Sequence, residues 1–113
     1  MDIVVDQLNP QTRCIRLSGR LDMKGAGQID QRFTTLTATH DNKVIVDMSG
    51  VDFLASIGMR LLLSCAKANA LRGGQMVLAN PQPLVKQALE TAGIHDLIPI
   101  FADEANALVA FSD

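Results

Sequence analysis

The stretch of sequence that decides the fold is Asp47-Met48-Ser49-Gly50-Val51-Asp52-Phe53-Leu54-Ala55-Ser56-Ile57-Gly58-Met59-Arg60. The apolar run Val44-Ile45-Val46 leads into it, which predicts a buried strand, and Ser49-Gly50 has the composition of a turn. After Ser56, apolar residues recur at three- and four-residue steps, as on one face of a helix: Met59, Leu62, Leu63, Ala66 and Ala70. A buried strand followed closely by an amphipathic helix is typical of an α/β fold.

Ser56 stands directly before this predicted helix and is therefore well placed to be its N-cap. In that position its hydroxyl would accept a hydrogen bond from one of the free amides of the first turn. The same place favours a phosphate, because free N–H groups and the positive end of the helix dipole converge there. Most serines at such positions only cap a helix. The apolar segment Phe53-Leu54-Ala55, expected to be an exposed loop, is more than a cap requires, so both interpretations stay open.

Two strands are predicted upstream, at residues 2–6 and 13–18, joined by a turn at Asn9-Pro10-Gln11. The short connection allows an antiparallel hairpin. The segment Gly19-Arg20-Leu21-Asp22 is then expected to leave the sheet.

The first helix is predicted over residues 23–39, with Asp22 as its N-cap. Gly25 and Gly27 weaken its first turns, so we expect residues 22–27 to form a loose segment near the edge of the sheet. His40-Asp41-Asn42 is predicted to be a turn.

Downstream of the first helix, strands and helices are predicted to alternate. A strand at 43–48 is followed by a helix that begins after Ser56 and runs to about Arg72, and then by a strand at 75–80. Next come a helix opened by Pro81-Gln82-Pro83 with Leu84, Val85, Ala88 and Leu89 inward, an edge strand at 97–101 around Pro99, and a helix at 103–111. The order is β-β-α-β-α-β-α-β-α. It predicts one α/β domain over residues 1–113, with a mixed, mostly parallel sheet of about five strands packed by about four helices.

The composition excludes several classes of protein. Apolar content of 48% and charged content of 19% are typical of a globular chain. The net charge of −2 makes nucleic-acid binding by a cationic face an unfavoured interpretation. No apolar run approaches the roughly 20 residues of a membrane span, so no membrane partner is predicted. The N-terminus has no cationic region before a long apolar one, which predicts a cytoplasmic protein without a signal peptide.

Metal and disulfide chemistry is not predicted. Cys14 and Cys65 fall in a predicted strand and a predicted helix, which favours two buried thiols over a disulfide. His40 and His95 lie in different segments without metal-ligand spacing. We therefore expect no zinc site and no cofactor.

Enzymatic chemistry has little support in the residues around Ser56. A Ser-His-Asp hydrolase usually carries a Gly-x-Ser-x-Gly elbow, whereas Ala55 and Ile57 flank this serine. Carboxylates at neighbouring strand ends, such as Asp22 and Asp47, are more often caps and turn formers than metal ligands. The prediction is a protein that is not an enzyme.

Four segments of the chain resemble the STAS domains of bacterial anti-sigma factor antagonists, and together they span nearly its whole length in the same element order. They are Gly19-Arg20-Leu21-Asp22, the stretch from Val44 to Gly58, Gly73-Gly74-Gln75-Met76-Val77-Leu78, and the tail from Leu89 to Phe101.

The resemblance implies a partner-switching protein. In that family, the serine that opens the second helix is phosphorylated by a partner that is both serine kinase and anti-sigma factor and that binds ATP. A metal-dependent serine phosphatase reverses the reaction. On this match Ser56 is the phosphorylation site, and its unphosphorylated form binds the anti-sigma factor. The implied partner-binding residues are Asp22, Met23, Asp52, Phe53, Leu54, Ala55, Ile57, Gly58, Met59 and Arg60.

The chain departs from the family pattern on both sides of the serine. Family members commonly carry an acidic residue just before it and a second hydroxyl just after it, where this chain has Ala55 and Ile57. Ser56 is then the only acceptor in the segment, and a different kinase is expected to read it. The departures also leave open a constitutive binder. The alternative function is a non-switching STAS adaptor subunit of a transport or stress-sensing complex.

Overall fold

The computed structural model describes residues 1–38 and 42–111. Their elements, in chain order, are β1 (Asp2–Asn9), β2 (Thr12–Leu21), α1 (Met23–Ala38), β3 (Lys43–Leu54), α2 (Ser56–Leu71), β4 (Gln75–Ala79), α3 (Pro83–Thr91), a short 3-10 helix (Ile94–Asp96), β5 (Ile100–Phe101) and α4 (Glu104–Phe111). The predicted order of strands and α-helices is confirmed. The predicted turn at residues 40–42 and the predicted last helical residue, Thr39, fall largely outside the described residues.

One five-stranded sheet holds the molecule together, with its strands in the spatial order β1-β2-β3-β4-β5. β1 and β2 form the expected antiparallel hairpin, and every later neighbour pair is parallel. β5 lies at the edge, as predicted, although it contains only Ile100 and Phe101, and the 3-10 helix precedes it. The predicted mixed sheet is confirmed.

Helices cover the two faces of the sheet unequally. Three of them, α1, α2 and α3, pack on one face against the side chains of β2 and β3. The helix residues buried there are Ile29, Phe33, Leu62, Val85 and Leu89. α4 covers the other face with Ala107 and Phe111, against Cys14, Ile45 and Val77. Cys14 and Cys65 are buried free thiols, as predicted. Burial is also the main reason why the pKa of Cys14 is raised to about 12.

β2 and β3 both run further than the sequence predicted. Gly19-Arg20-Leu21 stays in the sheet, and β3 continues through Ser49-Gly50 to Leu54, so the predicted turn at Ser49-Gly50 is wrong. The register shifts twice along this pair, between Arg16 and Ser18 and between Gly19 and Arg20, and β3 supplies the extra residue each time. These irregularities are β-bulges, which use the same residue types as turns.

The bulges change the spacing of the buried side chains of β3. Those on the face covered by α1, α2 and α3 are Val44, Val46, Met48, Val51 and Leu54, so the steps lengthen from two residues to three. Gly50 is required at the first bulge because a Cβ atom there would lie 2.7 Å from the Cβ of Ser18. The strand ends with Leu54 opposite Leu21.

The start of α1 is helical from Met23 onwards, which corrects the expectation of a loose segment at residues 22–27. Gly25 is buried, and a Cβ atom there would collide with the carbonyl oxygen of Arg20. This glycine therefore lets α1 pack tightly against the end of β2. Asp22 is the N-cap, as predicted: its Oδ1 accepts a hydrogen bond of 2.8 Å from the Gly25 amide.

Candidate functional site

The ends of β2 and β3 bring the predicted site residues together. Leu21 and Leu54 are paired in the last register position of the two strands. The Ala55 amide then donates a 3.0 Å hydrogen bond to the carbonyl oxygen of Leu21. Asp22 and Ser56 therefore follow neighbouring strands at the carboxyl edge of the sheet, where ligand and partner sites of α/β folds usually lie.

Ser56 is the first residue of α2 and not its cap. The capping position belongs to Ala55, whose backbone is extended with φ −97° and ψ 167° and whose carbonyl accepts bonds from the Gly58 and Met59 amides at 3.0 and 3.2 Å. The predicted N-cap was therefore wrong by one residue. The physical reason is the bond from the Ala55 amide to the Leu21 carbonyl, which holds the backbone of Ala55 extended beside the end of β2 so that the helix begins immediately after it.

The hydroxyl of Ser56 is left free by this arrangement. The side chain is exposed, and among residues 1–38 and 42–111 no group forms a hydrogen bond with it. The Ser56 and Ile57 amides in the first turn also lack an acceptor within the described part of the chain. An exposed hydroxyl thus lies beside two unpaired amides at the positive end of α2.

Large apolar side chains at the ends of β2 and β3 and at the starts of α1 and α2 are exposed. Met23 is 75% exposed, Phe53 41% and Ile57 39%, which is unusual for large apolar groups gathered at one edge of a sheet. We call Asp22, Met23, Phe53, Ser56 and Ile57 the strand-end surface.

Arg20 connects two members of this surface and was not identified from the sequence. Its guanidinium carbon lies 4.3 Å from the centroid of the Phe53 ring, and its Nε lies 3.4 Å from Oδ2 of Asp22. The pKa of Asp22 is held below its ordinary value, first by the Gly25 amide and then by Arg20. The alternation of inward and outward side chains along β2 could have placed Arg20 on the solvent side. Its contact with Phe53 could not be predicted, because it depends on the bulges of β3.

Two of the predicted partner-binding residues lie beneath the surface. Leu54 is only 7% exposed and belongs to the core, so the expectation of an exposed Phe53-Leu54-Ala55 loop is wrong for this residue. Gly58 is buried against Leu21, where a Cβ atom would lie 2.5 Å from the leucine Cγ. They support the surface from within.

The remaining predicted residues lie around the strand-end surface. Asp52 and Arg60 are exposed, whereas Ala55 and Met59 are half-buried. Their role in partner binding stays a prediction.

Leu84 lies near Ser56 on the surface, although the sequence predicted it to be in the core. It is 78% exposed, and Ser56, Met59 and Leu84 line one shallow depression of about 450 Å³ between α2 and α3. Only Val85 and Leu89 of the predicted apolar stripe of α3 are fully buried, and their four-residue spacing is the signal that could have separated them from Leu84. The side-chain Nε2 of Gln82 donates a 2.8 Å hydrogen bond to the backbone carbonyl of Ser49, which joins the start of α3 to the first bulge.

Acidic residues near the strand ends do not converge on a metal site. Within residues 1–38 and 42–111, no three His, Cys, Asp or Glu side chains are grouped so that they could hold a metal ion. Asp47 instead binds Arg16 at 3.0 Å, and Arg16 also pairs with Asp6 and Glu104. Burial raises the pKa of Asp47, but hydrogen bonds from Ser49 and Arg16 outweigh it and keep the pKa below its ordinary value.

Solved structures of other proteins share this fold. The chain is similar to the Bacillus protein SpoIIAA, described as an anti-sigma factor antagonist. The TM-score between this chain and the unphosphorylated form of SpoIIAA is 0.80, with 23% identity over 98% of this chain and 96% of SpoIIAA. For the phosphorylated form of SpoIIAA the TM-score is 0.71, with 22% identity over 97% and 99% of the two chains. The fold is also similar to part of the murine anion transporter Slc26a9, with a TM-score of 0.77 and 19% identity over 91% of this chain and 18% of the transporter.

The chain belongs to the STAS domain family, whose sequence pattern matches residues 4–107. Among sequence relatives, an anti-sigma F factor antagonist of Paenibacillus polymyxa is 28% identical over 98 residues, covering 83% of this chain and 81% of the relative. In the portion of the chain that the structure describes, no helix has the length and apolar character needed to cross a membrane.

Proposed function

We propose that this STAS domain is an anti-sigma factor antagonist whose binding to its partner is controlled by phosphorylation of Ser56. One observation carries the proposal: the Ser56 hydroxyl is exposed and unbonded in the first turn of α2, beside the exposed apolar groups of the strand-end surface. The name of the Paenibacillus relative and the two forms of SpoIIAA support it.

In the unmodified state, the strand-end surface binds the anti-sigma factor. Met23, Phe53 and Ile57 supply apolar contact area, and Asp22 supplies a polar rim. Exposed apolar side chains with a polar border are typical of protein interfaces. Binding would bring the Ser56 hydroxyl into contact with the partner.

Phosphorylation changes the charge at this point and leaves the fold as it is. The phosphate carries about −1.5 to −2 charges and three acceptor oxygens. The unpaired amides of Ser56 and Ile57 and the dipole of α2 are suited to hold it. Because no hydrogen bond within residues 1–38 and 42–111 involves the Ser56 hydroxyl, the phosphoryl group displaces none of them.

The phosphate prevents docking because the partner would have to bury it against a surface suited to a neutral hydroxyl. Burying an unmatched charge costs several kcal/mol, roughly. Since each tenfold change in affinity corresponds to about 1.4 kcal/mol, even part of this penalty separates strong binding from none. The mechanism is electrostatic exclusion.

The partners follow from this cycle. An anti-sigma factor with serine-kinase activity binds ATP and transfers the terminal phosphoryl group to Oγ of Ser56. A metal-dependent serine phosphatase removes it by hydrolysis. The proposed location is the cytoplasm, where ATP and sigma factors act.

The test uses Ser56→Ala and Ser56→Asp together with the purified serine-kinase anti-sigma factors of the source organism. We expect the alanine variant to bind the anti-sigma factor equally well with and without ATP. The aspartate variant should fold but not bind. The wild-type chain should gain about 80 Da on Ser56 when ATP is present. Val109→Asp is the matched control, because Val109 is exposed on α4, on the opposite face of the sheet. Equal binding by all four chains would contradict the proposal.

The second candidate is a permanently bound adaptor of a transport or stress-sensing complex. The likeness to a part of Slc26a9 favours it. Under this alternative, Ser56→Asp binds as well as the wild type, and protein purified from its own cells shows no mass change on phosphatase treatment.

A further inference from the structure

A groove of about 490 Å³ runs between α1 and α2, on the outer side of the helical layer. Its length is set by α1, because both Met23 and Ala38 line it, and fifteen helical steps span about 22 Å. Small residues such as Ala26, Gly27 and Ala68 form much of its surface.

Gly27 is not required by the fold. A Cβ atom at this position would meet nothing within 4 Å, in contrast to Gly25, where it would collide with the Arg20 carbonyl. Glycine weakens a helix relative to alanine, so α1 gains no stability from it. The effect of Gly27 is to leave the helix backbone uncovered inside the groove, where another backbone can approach closely.

The two walls of the groove carry opposite charges. Asp30 lies on α1, and its described hydrogen bond is with Thr34 of the same helix, at 3.0 Å. Arg60 lies on α2 and is exposed, and no ion pair joins it to any carboxylate in residues 1–38 and 42–111. The exposed apolar groups of Met23 and Ile57 lie at one end of the groove, which is therefore continuous with the strand-end surface.

From the bare backbone at Gly27 and the opposed charges of Asp30 and Arg60, we infer that the groove receives an amphipathic helix of the anti-sigma factor. This inference rests on the proposed function, since the groove begins beside Ser56. The incoming helix turns small side chains toward Gly27, a basic side chain toward Asp30 and an acidic one toward Arg60. A helix fits better than an extended segment, because the groove lies between two helices and offers no free strand edge for backbone pairing.

The partner in the test is the purified anti-sigma factor that phosphorylates Ser56 in the wild-type chain. Its affinity for each variant is measured in the presence of ADP in place of ATP. Gly27→Leu adds a side chain to the groove at a position where its Cβ atom meets nothing within 4 Å, and Arg60→Glu reverses the charge of one wall. Each is expected to weaken binding at least tenfold, with an unchanged circular dichroism spectrum. Gln31→Leu is the control, because it adds the same side chain to an exposed position of α1 outside the groove.

The outcomes separate this inference from the proposed function. If Ser56→Asp abolishes binding while Gly27→Leu and Arg60→Glu bind as the wild type does, the groove inference is overturned and the function stands. If the groove variants weaken binding while Ser56→Asp does not, the groove stands and the switch fails. If no anti-sigma factor binds the wild-type chain, both are overturned. A wild-type dimer in light scattering that Gly27→Leu dissociates would assign the groove to a second copy and overturn the inference.

Discussion

The guanidinium of Arg20 lies over the Phe53 ring, 4.3 Å from its centroid, and ties an exposed aromatic side chain of β3 to the end of β2. The same arginine contacts Asp22 at 3.4 Å. An aromatic ring held by a cation loses less conformational freedom when a partner covers it. Phe53 is therefore suited to be an anchor of the strand-end surface.

Replacing Phe53 by alanine is expected to weaken binding of the anti-sigma factor by about tenfold or more, because buried aromatic anchors dominate interface energies. The ring is 41% exposed in the free protein, so the variant should stay folded. Calorimetric titration checks the affinity. Val109→Ala removes an exposed apolar group from α4 and should bind normally.

Ser56→Ala is expected to change the free energy of unfolding by less than about 0.5 kcal/mol, as for a surface substitution. The reason is that the hydroxyl caps no amide, since Ala55 occupies the capping position. Urea denaturation measures the change. A loss near 1 kcal/mol, the typical effect of removing a serine cap, would show that the hydroxyl does cap α2 in solution.

Because the pKa of Asp22 is lowered in the folded protein, its contribution to the free energy of unfolding should be lost in acid. The pKa of the folded carboxyl lies below the ordinary value of 3.8, so its contribution is complete above that value and is lost as the pH falls through the folded pKa. Asp22→Asn retains a capping group that does not titrate. Denaturation from pH 7 to pH 3 should show the wild type losing its advantage over this variant below about pH 4, and not at neutral pH.

Gly58 and Gly27 should respond oppositely to alanine although both lie in helices. Gly58→Ala is expected to destabilise the protein by about 1–3 kcal/mol, because the methyl group would overlap Leu21. Gly27→Ala meets only open space and should stabilise α1 by up to about 1 kcal/mol. Thermal unfolding of the two variants compares them directly, and equal shifts would contradict the packing described.

Arg16→Met should destabilise the protein most at neutral pH. Arg16 pairs with Asp6, Asp47 and Glu104, and its removal leaves the carboxylates without their common cation. The lowered pKa of Asp47 would then rise. The difference in the free energy of unfolding between the variant and the wild type should therefore shrink as the pH falls toward about 4. Guanidinium denaturation at two pH values checks this. A difference that grows in acid would contradict it.

The sequence predicted the order of elements well because hydrophobic periodicity decides it. It failed at the ends of β2 and β3, since Ser49-Gly50 suits a turn and a bulge equally. The pairing of residues 18–21 with residues 50–54, from Ser18 and Gly50 to Leu21 and Leu54, shows that the strands continue.

The candidate site was predicted in outline, with errors that have tertiary causes. Local preference favours serine over alanine as an N-cap, but the bond from Ala55 to Leu21 moves the helix start by one residue. Leu84 was assigned to the core because it belongs to the same predicted apolar face of α3 as Val85, Ala88 and Leu89. Alternation placed Arg20 on the solvent side of β2, but its contact with Phe53 could not be predicted from the sequence, since Phe53 belongs to another strand.

The two bulges of β3 have a consequence for any change in chain length. Each extra residue inverts the inside-outside parity of the strand once, and two inversions return Leu54 to the interior opposite Leu21. A deletion of one residue between Met48 and Leu54 would leave a single inversion and direct Leu54 outward. The number of residues in this short segment, more than their identity, thus determines from which side of the sheet Ser56 emerges.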